Sequence, residues 1–154
     1  MKIYQLYRRQ ALALPIREAW AFFSSPYNLN EITPDFFQVT VTSNVPEPIY
    51  SGLMISYSMK AVFGLPMAWL SEVSHCDEPK RFVYEQRIGP FKFWSHEVCL
   101  TEQGNGIVLE DIVFYAMPFG WLGQFLNKVL IADKLARIFK VRQDYLNVRW
   151  GITG

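Results

Sequence analysis

The most constraining feature of the chain is a run of strand-like segments that ends in one long amphipathic helix. Residues 81–88, 93–100 and 107–117 are rich in aromatic and β-branched side chains, and a Gly-Asn-Gly turn separates the last two segments. An apolar stripe then recurs with helical spacing over about residues 119–149. Because a long helix must bury such a stripe, we expect it to cover the concave face of an antiparallel sheet. A sheet and helix packed in this way tend to enclose a cavity.

The remainder of the chain predicts further short elements. Alternation indicates strands over residues 2–14 and 53–62, and β-branched residues indicate a strand over 37–43. A further strand is predicted over residues 67–76, after Gly64 and Pro66. Prolines 15, 26 and 34 delimit two short helices, over residues 16–25 and 27–33. Residues 63–66, which include Gly64 and Pro66, predict a turn that could gate entry to a cavity. The order is β-α-α-β6-α, which predicts one α+β domain over residues 1–154 with about seven strands.

Composition is compatible with such a domain and with an internal cavity. A chain of 154 residues can bury roughly two-thirds of its unfolded surface, so it needs neither disulfides nor a structural metal. Charged residues make up 19% of the chain, below the usual ~25%, and aromatic residues make up 16%. This balance predicts either a large aromatic core or apolar surface that faces a ligand or a partner.

Charge and motifs exclude several classes of function. The net charge of +1 argues against bulk electrostatic binding to nucleic acid. No segment has the ~18–20 continuous apolar residues of a membrane span, and the N-terminus lacks the apolar core of a signal peptide. Cys76 and Cys99 lack metal-type spacing, and the only histidines are His75 and His96. We expect a cytoplasmic protein with no metal and no cofactor.

Several short phrases carry a resemblance to a known family. These are Pro66-Met-Ala-Trp69, Arg81-Phe82, Glu85-Gln86-Arg87, Gly89-Pro90-Phe91, Trp94-Ser-His96, Glu110-Asp111, Tyr115-Ala-Met-Pro118-Phe-Gly120, Leu122-Gly123 and Phe139-Lys-Val-Arg142. With the element order, they resemble the helix-grip fold of the START-like, birch-pollen-allergen-like superfamily, also called SRPBCC. The bacterial ligand-binding and polyketide cyclase/dehydrase-like branch is the most similar.

The resemblance covers essentially the whole chain and implies a curved sheet wrapped around the C-terminal helix, with an internal cavity. It implies no single activity, because the superfamily contains lipid carriers, hormone receptors and cyclases.

Strand parity predicts which side chains face the cavity. In residues 81–88 the odd positions carry three charges, so the even face, with Tyr84 and Gln86, should be the inner one. In residues 93–100 the even face, with Trp94 and His96, is again the better inner face. A three-residue connection over residues 89–91 pairs Tyr84 with His96 and Gln86 with Trp94.

The register of the next hairpin decides whether an acid joins these residues. A four-residue loop over residues 103–106 would pair Glu102 with Ile107 and place Asp111 and Tyr115 on the inner face. A two-residue Asn105-Gly106 turn, or a three-residue loop, would place Asp111 and Tyr115 on the opposite face.

Arg142 interrupts the apolar stripe of the long helix. It either snorkels outward, the interpretation we favour, or pairs with an acid inside the fold. The predicted ligand-contact residues are Tyr57, Met59, Met67, Trp69, Tyr84, Gln86, Trp94, His96, Asp111, Tyr115 and Arg142. His96 could hold Asp111 or Tyr115 in place, bind a ligand, or act as a general base supported by Asp111.

These patterns favour binding of a small hydrophobic ligand, lipid-like or aromatic, in an internal cavity. One alternative is a cyclase or dehydrase that uses His96 and Asp111 on a polyketide-like substrate. Another is a lipid chaperone or interaction module that docks through residues 117–126, MPFGWLGQFL. For that segment we favour a buried lip of the cavity. The oligomeric state stays open.

Overall fold

The computed structural model describes residues 1–60 and 64–152, except for the side chain of Phe36. In this part of the chain, seven antiparallel strands form one sheet in the order β1-β7-β6-β5-β4-β3-β2. The strands are β1 (Tyr4–Leu12), β2 (Thr40–Val41), β3 (Met54–Lys60), β4 (Pro66–Asp77), β5 (Arg81–Ile88), β6 (Phe93–Gln103) and β7 (Gly106–Ala116). The α-helices are α1 (Ile16–Phe23), α2 (Gly120–Leu126) and α3 (Ala132–Trp150).

The predicted α+β order is confirmed, with local differences before β3. The second short helix is a 3₁₀ helix, Pro26–Ile32, and the predicted strand over residues 37–43 shrinks to β2. A further 3₁₀ turn, Asp35–Phe37, and the left-handed Gln38 (φ 45°) occupy the start of that predicted strand. The end of the predicted strand 53–62 and the start of the predicted turn 63–66 lie outside the described residues.

Two irregularities bend the sheet between β4 and β5. The register shifts between Leu70 and Ser71 and again between Val73 and His75. Such bulges add one residue to a strand, which increases its local bend and twist. The first bulge also turns Ile88 to solvent, although this residue has the even parity that predicted an inner position in residues 81–88.

The hairpin of β6 and β7 is regular over its whole length. All 11 residues of β6 pair with residues of β7, from Phe93–Ala116 to Gln103–Gly106. Gly104, the first residue of the two-residue tip, has a φ of +59°, as in the type II′ turn that suits a hairpin. This register pairs Glu102 with Ile107, as predicted for a four-residue loop over residues 103–106, and that predicted register is confirmed.

The predicted C-terminal helix is present but has a change of pitch. A π-helical segment, Asn127–Ile131, joins α2 to α3. Leu135, Phe139 and Leu146 are buried, as the apolar stripe of the helix predicted. The polar face carries an ion pair between Lys140 and Asp144, with Nζ and Oδ1 2.7 Å apart. The long helix therefore packs on the concave face of the sheet, and space remains between the two.

Candidate functional site

A pocket of about 460 Å³ lies between the concave face of the sheet and the long helix. Strands β3 to β6, the segment that follows α1, and the helices α2 and α3 all contribute side chains to it. Its lining is mainly apolar, with a small number of polar groups. Both its size and this composition are typical of small-molecule sites, which range from about 300 to 1,000 Å³.

Most of the side chains predicted to contact a ligand line this pocket. They are Tyr57, Met59, Met67, Trp69, Tyr84, Trp94, His96 and Arg142. Gln86, Asp111 and Tyr115 are not among the lining residues and instead hold neighbouring side chains. Contact between any of these residues and a ligand stays a prediction.

Asp111, His96 and Arg142 form what we call the buried triad. Asp111 is only 4% exposed, and its Oδ1 lies 2.8 Å from Nε2 of His96. Arg142 donates to the same carboxylate twice, from Nε to Oδ2 and from Nη2 to Oδ1, both at 3.0 Å. The favoured prediction that Arg142 snorkels outward is therefore wrong, and the alternative, an acid inside the fold, is correct. The compensating carboxylate makes burial of the guanidinium tolerable.

The charge of Asp111 is held in place by its two partners. Burial by itself raises the pKa of the Asp111 carboxyl, but the Arg142 charge and the hydrogen bonds from His96 and Arg142 outweigh burial and lower the pKa. Asp111 is therefore ionised at neutral pH and only accepts hydrogen bonds. It follows that Nε2 of His96 carries a hydrogen and donates it to Asp111, whichever protonation state the ring has.

Aromatic rings form one side of the pocket. The ring centroids of Trp69 and Trp94 are 5.5 Å apart, and those of Phe91 and Trp94 are 4.8 Å apart. Sequence reasoning missed Phe91, although a large aromatic residue directly after Gly-Pro is unusual for a solvated turn. Gln86 positions it, because its Nε2 donates to the Phe91 carbonyl at 2.7 Å and its Oε1 accepts from the Phe91 N–H at 3.1 Å. Gln86 thus acts on the pocket through Phe91.

Tyr115 connects the sheet to the segment that closes the pocket. Its hydroxyl donates to Oδ1 of the buried Asn127 at 2.8 Å, and Asn127 begins the π-helical segment. Its ring lies 5.7 Å from Phe91, behind the pocket surface. The only feature of the sequence that could have indicated this role of Asn127 is that it is a polar residue within an apolar segment.

We call residues 117–131 the lip. Met117, Leu126, Leu130 and Ile131 line the pocket from this segment. The prediction of a buried lip, made for residues 117–126, is wrong for the outer face of that segment. Phe119 and Trp121 are 78% and 79% exposed, and Leu122, Phe125 and Val129 are exposed as well.

The backbone of the lip is also unusual. Phe119 has a left-handed φ of 66°, which is uncommon for a residue with a large side chain. At Gly123 an added Cβ would lie 1.8 Å from the Pro118 carbonyl oxygen, so only glycine fits there.

Two tyrosines and a serine lie on the strands opposite the helix. Tyr57 pairs across strands with Trp69, whose Nε1 donates to Oγ of Ser71 at 2.9 Å. Burial raises the pKa of Tyr57 and, with added effects of Tyr57 and Cys76, that of Tyr84. Ser71 was not predicted, although continued parity from Trp69 would have indicated its inner position.

Residues 1–60 and 64–152, the described part of the chain, contain no set of side chains suited to bind a metal ion. No three or more His, Cys, Asp or Glu side chains are grouped there in a way that could hold a metal ion. The groups available for chemistry at the pocket are the imidazole of His96, donors from tyrosine, serine and arginine, and aromatic surface.

The fold has clear counterparts among solved structures. A Chromobacterium violaceum protein superposes with a TM-score of 0.69 at 15% identity, covering 99% of this chain and 100% of its own. A Thermus thermophilus protein superposes with a TM-score of 0.69 at 14% identity, and the match covers 95% of this chain and 99% of that protein. Major latex-like protein 151 of Panax ginseng, a birch-pollen-allergen-like protein, superposes with a TM-score of 0.64 at 14% identity. The match covers 94% of this chain and 97% of that protein.

The chain has the helix-grip fold. The resemblance to the START-like superfamily is thus confirmed at the level of fold. No protein-family model matches the chain, and no curated protein matches it in sequence. In the described part of this helix-grip chain, no helix is long and apolar enough to cross a membrane.

Proposed function

We propose that this protein binds a small hydrophobic molecule, lipid-like or aromatic, in the pocket between its sheet and its long helix. The observation that carries the proposal is the largely apolar pocket of about 460 Å³. Burial of a ligand there would contribute roughly 25 cal/mol per Å² of apolar surface, less the cost of ordering the partners. The helix-grip fold, a ligand-binding fold in general, supports the same conclusion.

Individual side chains suit this role in different ways. Trp69 and Trp94 offer flat surface for a ring. Met59 and Met67, paired across β3 and β4, have unbranched side chains that adapt to ligands of different shape. His96 and Arg142 would supply polar orientation. The cytoplasmic location expected from the sequence and a docking role for the lip stay predictions.

Pocket blocking tests the proposal with a matched pair of variants. Leu130→Trp places a large ring in the pocket, whereas Val129→Trp places it on the exposed outer face of the lip. Saturable binding of the neutral fluorescent probe N-phenyl-1-naphthylamine is expected for the unmodified protein and Val129→Trp. Leu130→Trp should weaken it at least about tenfold, a loss of ~1.4 kcal/mol. Equal binding by both variants would contradict the proposal.

The natural ligand can be sought directly. Native mass spectrometry of the purified protein, set against its denatured mass, would detect a compound that co-purifies with it. Organic extraction would then give the chemical class of that compound. A polar, water-soluble compound bound in stoichiometric amount would contradict a hydrophobic ligand.

A second candidate function is catalysis of a cyclase or dehydrase type. The observation in its favour is that His96 lines the pocket while Asp111 holds Nε2, which leaves Nδ1 as a base. Turnover of an aromatic polyketide-like substrate should then be lost in His96→Ala while binding is retained. Binding without turnover in the unmodified protein, across pH, would favour a binding protein instead.

A further inference from the structure

Two tyrosine hydroxyls in the pocket have no hydrogen-bond partner among the described residues. In the described residues, neither Tyr57 nor Tyr84 donates or accepts a hydrogen bond through its hydroxyl. The hydroxyls of Tyr7, Tyr115 and Tyr145, by contrast, bond to Glu110, Asn127 and Glu31. A buried tyrosine usually finds a partner for its hydroxyl, so this pair needs an explanation.

Both hydroxyls must open onto the pocket. No fully enclosed side-chain nitrogen or oxygen of the described residues lacks a partner, so an unbonded hydroxyl has to reach accessible space. Tyr57 is only 7% exposed and lines the pocket, which leaves the pocket as that space. Tyr84 lines it too and lies near enough to Tyr57 for the two groups to interact electrostatically.

The surroundings of the pair are rich in hydrogen-bond donors. Ser71 already accepts from Trp69, so its hydroxyl hydrogen can be directed elsewhere. Arg142 lies near Tyr84 and bonds Asp111 through Nε and Nη2, and its Nη1 makes no hydrogen bond in the described part of the chain. The carboxylate oxygens of Asp111 already accept three hydrogen bonds from His96 and Arg142.

The charge of Arg142, which lies near Tyr84, is already paired within the protein. The positive charge of Arg142 is balanced by Asp111 at 3.0 Å. Burial raises the pKa of both tyrosines, so each keeps its hydrogen and can donate it. A carboxylate placed here would be a buried charge without a counter-charge, which is costly, whereas a neutral oxygen acceptor is not.

We propose that the ligand carries a neutral carbonyl oxygen that accepts hydrogen bonds from Tyr57 and Tyr84. This rests on the proposed ligand-binding function and adds the class of ligand. Since Trp69 pairs with Tyr57 across β3 and β4, the carbonyl lies beside the aromatic side of the pocket. The ligand is therefore an aryl or otherwise conjugated ketone, ester or quinone.

Three probes on one tricyclic frame test the proposal: fluorene, 9-fluorenone and fluorene-9-carboxylate. Their affinities are measured by equilibrium dialysis for the unmodified protein, Tyr57→Phe, Tyr84→Phe and the double variant. Each single variant should weaken fluorenone binding about threefold to tenfold, the value of one hydrogen bond, and leave fluorene unchanged. Tyr27→Phe, an exposed tyrosine outside the pocket, should change neither affinity.

The results that would overturn the carbonyl proposal differ from the result that would overturn the ligand-binding function. Fluorenone binding that is unchanged in the double variant, beside normal fluorene binding, overturns the carbonyl and leaves the hydrophobic pocket. Tightest binding of the carboxylate, lost in Lys134→Gln, also overturns it, because Lys134 lines the pocket and would then hold an anion. Failure of every probe to saturate overturns the ligand-binding function as well.

A melting experiment tests the premise independently. Because an unbonded buried hydroxyl gives the fold nothing, Tyr57→Phe and Tyr84→Phe should have a Tm equal to or above that of the unmodified protein. A clearly lower Tm for both would show that the hydroxyls bond within the protein, which overturns the proposal.

Discussion

Charged side chains are buried in one region of this molecule, and aromatic side chains are exposed in another. In the buried triad, Asp111 and Arg142 are 4% and 6% exposed. In the lip, Phe119 and Trp121 are more than three-quarters exposed. Each region reverses the usual distribution of polar and apolar residues. Both regions border the same pocket.

The two regions differ in whether their unusual side chains have partners within the described residues. The charges of the triad are matched by an ion pair and three hydrogen bonds, so their burial is compatible with a stable core. The exposed rings of the lip have no such compensation within the described residues. The lip also contains the π-helical segment, a feature frequent at functional sites. We therefore expect the triad to act chiefly on stability and the lip chiefly on access and docking.

The largest expected effect is that of Arg142→Met. Removing the guanidinium leaves Asp111 as a buried charge that keeps only the hydrogen bond from His96, so the free energy of unfolding should fall by ~3–5 kcal/mol. Urea denaturation measures this loss. Arg137→Met, on the exposed face of α3, should change stability by less than ~0.5 kcal/mol. Equal effects of the two substitutions would show that the triad does not stabilise the core.

The second largest expected effect is a loss of stability at low pH, when Asp111 of the triad becomes protonated. Because the pKa of Asp111 is lowered in the folded state, its contribution is complete above the unfolded value of about 3.9 and is lost as pH falls through the folded value. Below about pH 4 the unfolding free energy should therefore drop by up to ~1.4 kcal/mol per pH unit from this group. Asp111→Asn should flatten that slope, whereas Asp144→Asn, in an exposed ion pair, serves as the control. The same slope in both variants would contradict the assignment to Asp111.

A moderate effect is expected where the lip joins the sheet. Tyr115→Phe leaves the buried Asn127 oxygen without its donor, which should cost ~1–2 kcal/mol. Hydrogen exchange followed by mass spectrometry should become faster in residues 120–131 and stay unchanged in β6. Tyr145→Phe, whose hydroxyl bonds the exposed Glu31, should leave exchange in the lip unchanged. Faster exchange throughout the sheet would show that the hydrogen bond supports the whole fold instead.

The smallest effect on stability is expected for Trp121→Ser. This exposed ring should contribute within ~0.5 kcal/mol of unfolding free energy. If the lip docks on lipid, flotation of the protein with anionic vesicles should weaken in Trp121→Ser and persist in Val148→Ser, an exposed apolar residue of α3. Equal flotation of the two variants would exclude Trp121 as a membrane contact.

Much of the architecture follows from local patterns. Alternation along the strands and the stripe along the long helix predicted the element order, and the resemblance to the helix-grip fold rested on that order together with short sequence phrases. The pairs Tyr84–His96 and Glu102–Ile107 were predicted from loop length and are confirmed. Short turns made this possible, because they leave few registers and each register assigns a side chain to one face.

What the sequence by itself determined is therefore which faces meet at the pocket. The tertiary structure decided how their polar groups pair. Arg142 turns inward because Asp111, 31 positions away, lies opposite it, and helix periodicity carries no information about an opposing strand. The bulge that turns Ile88 outward and the contact between Tyr115 and Asn127 likewise depend on neighbours in space. Periodicity is a local property, whereas compensation of a buried charge or hydroxyl depends on what lies across the fold.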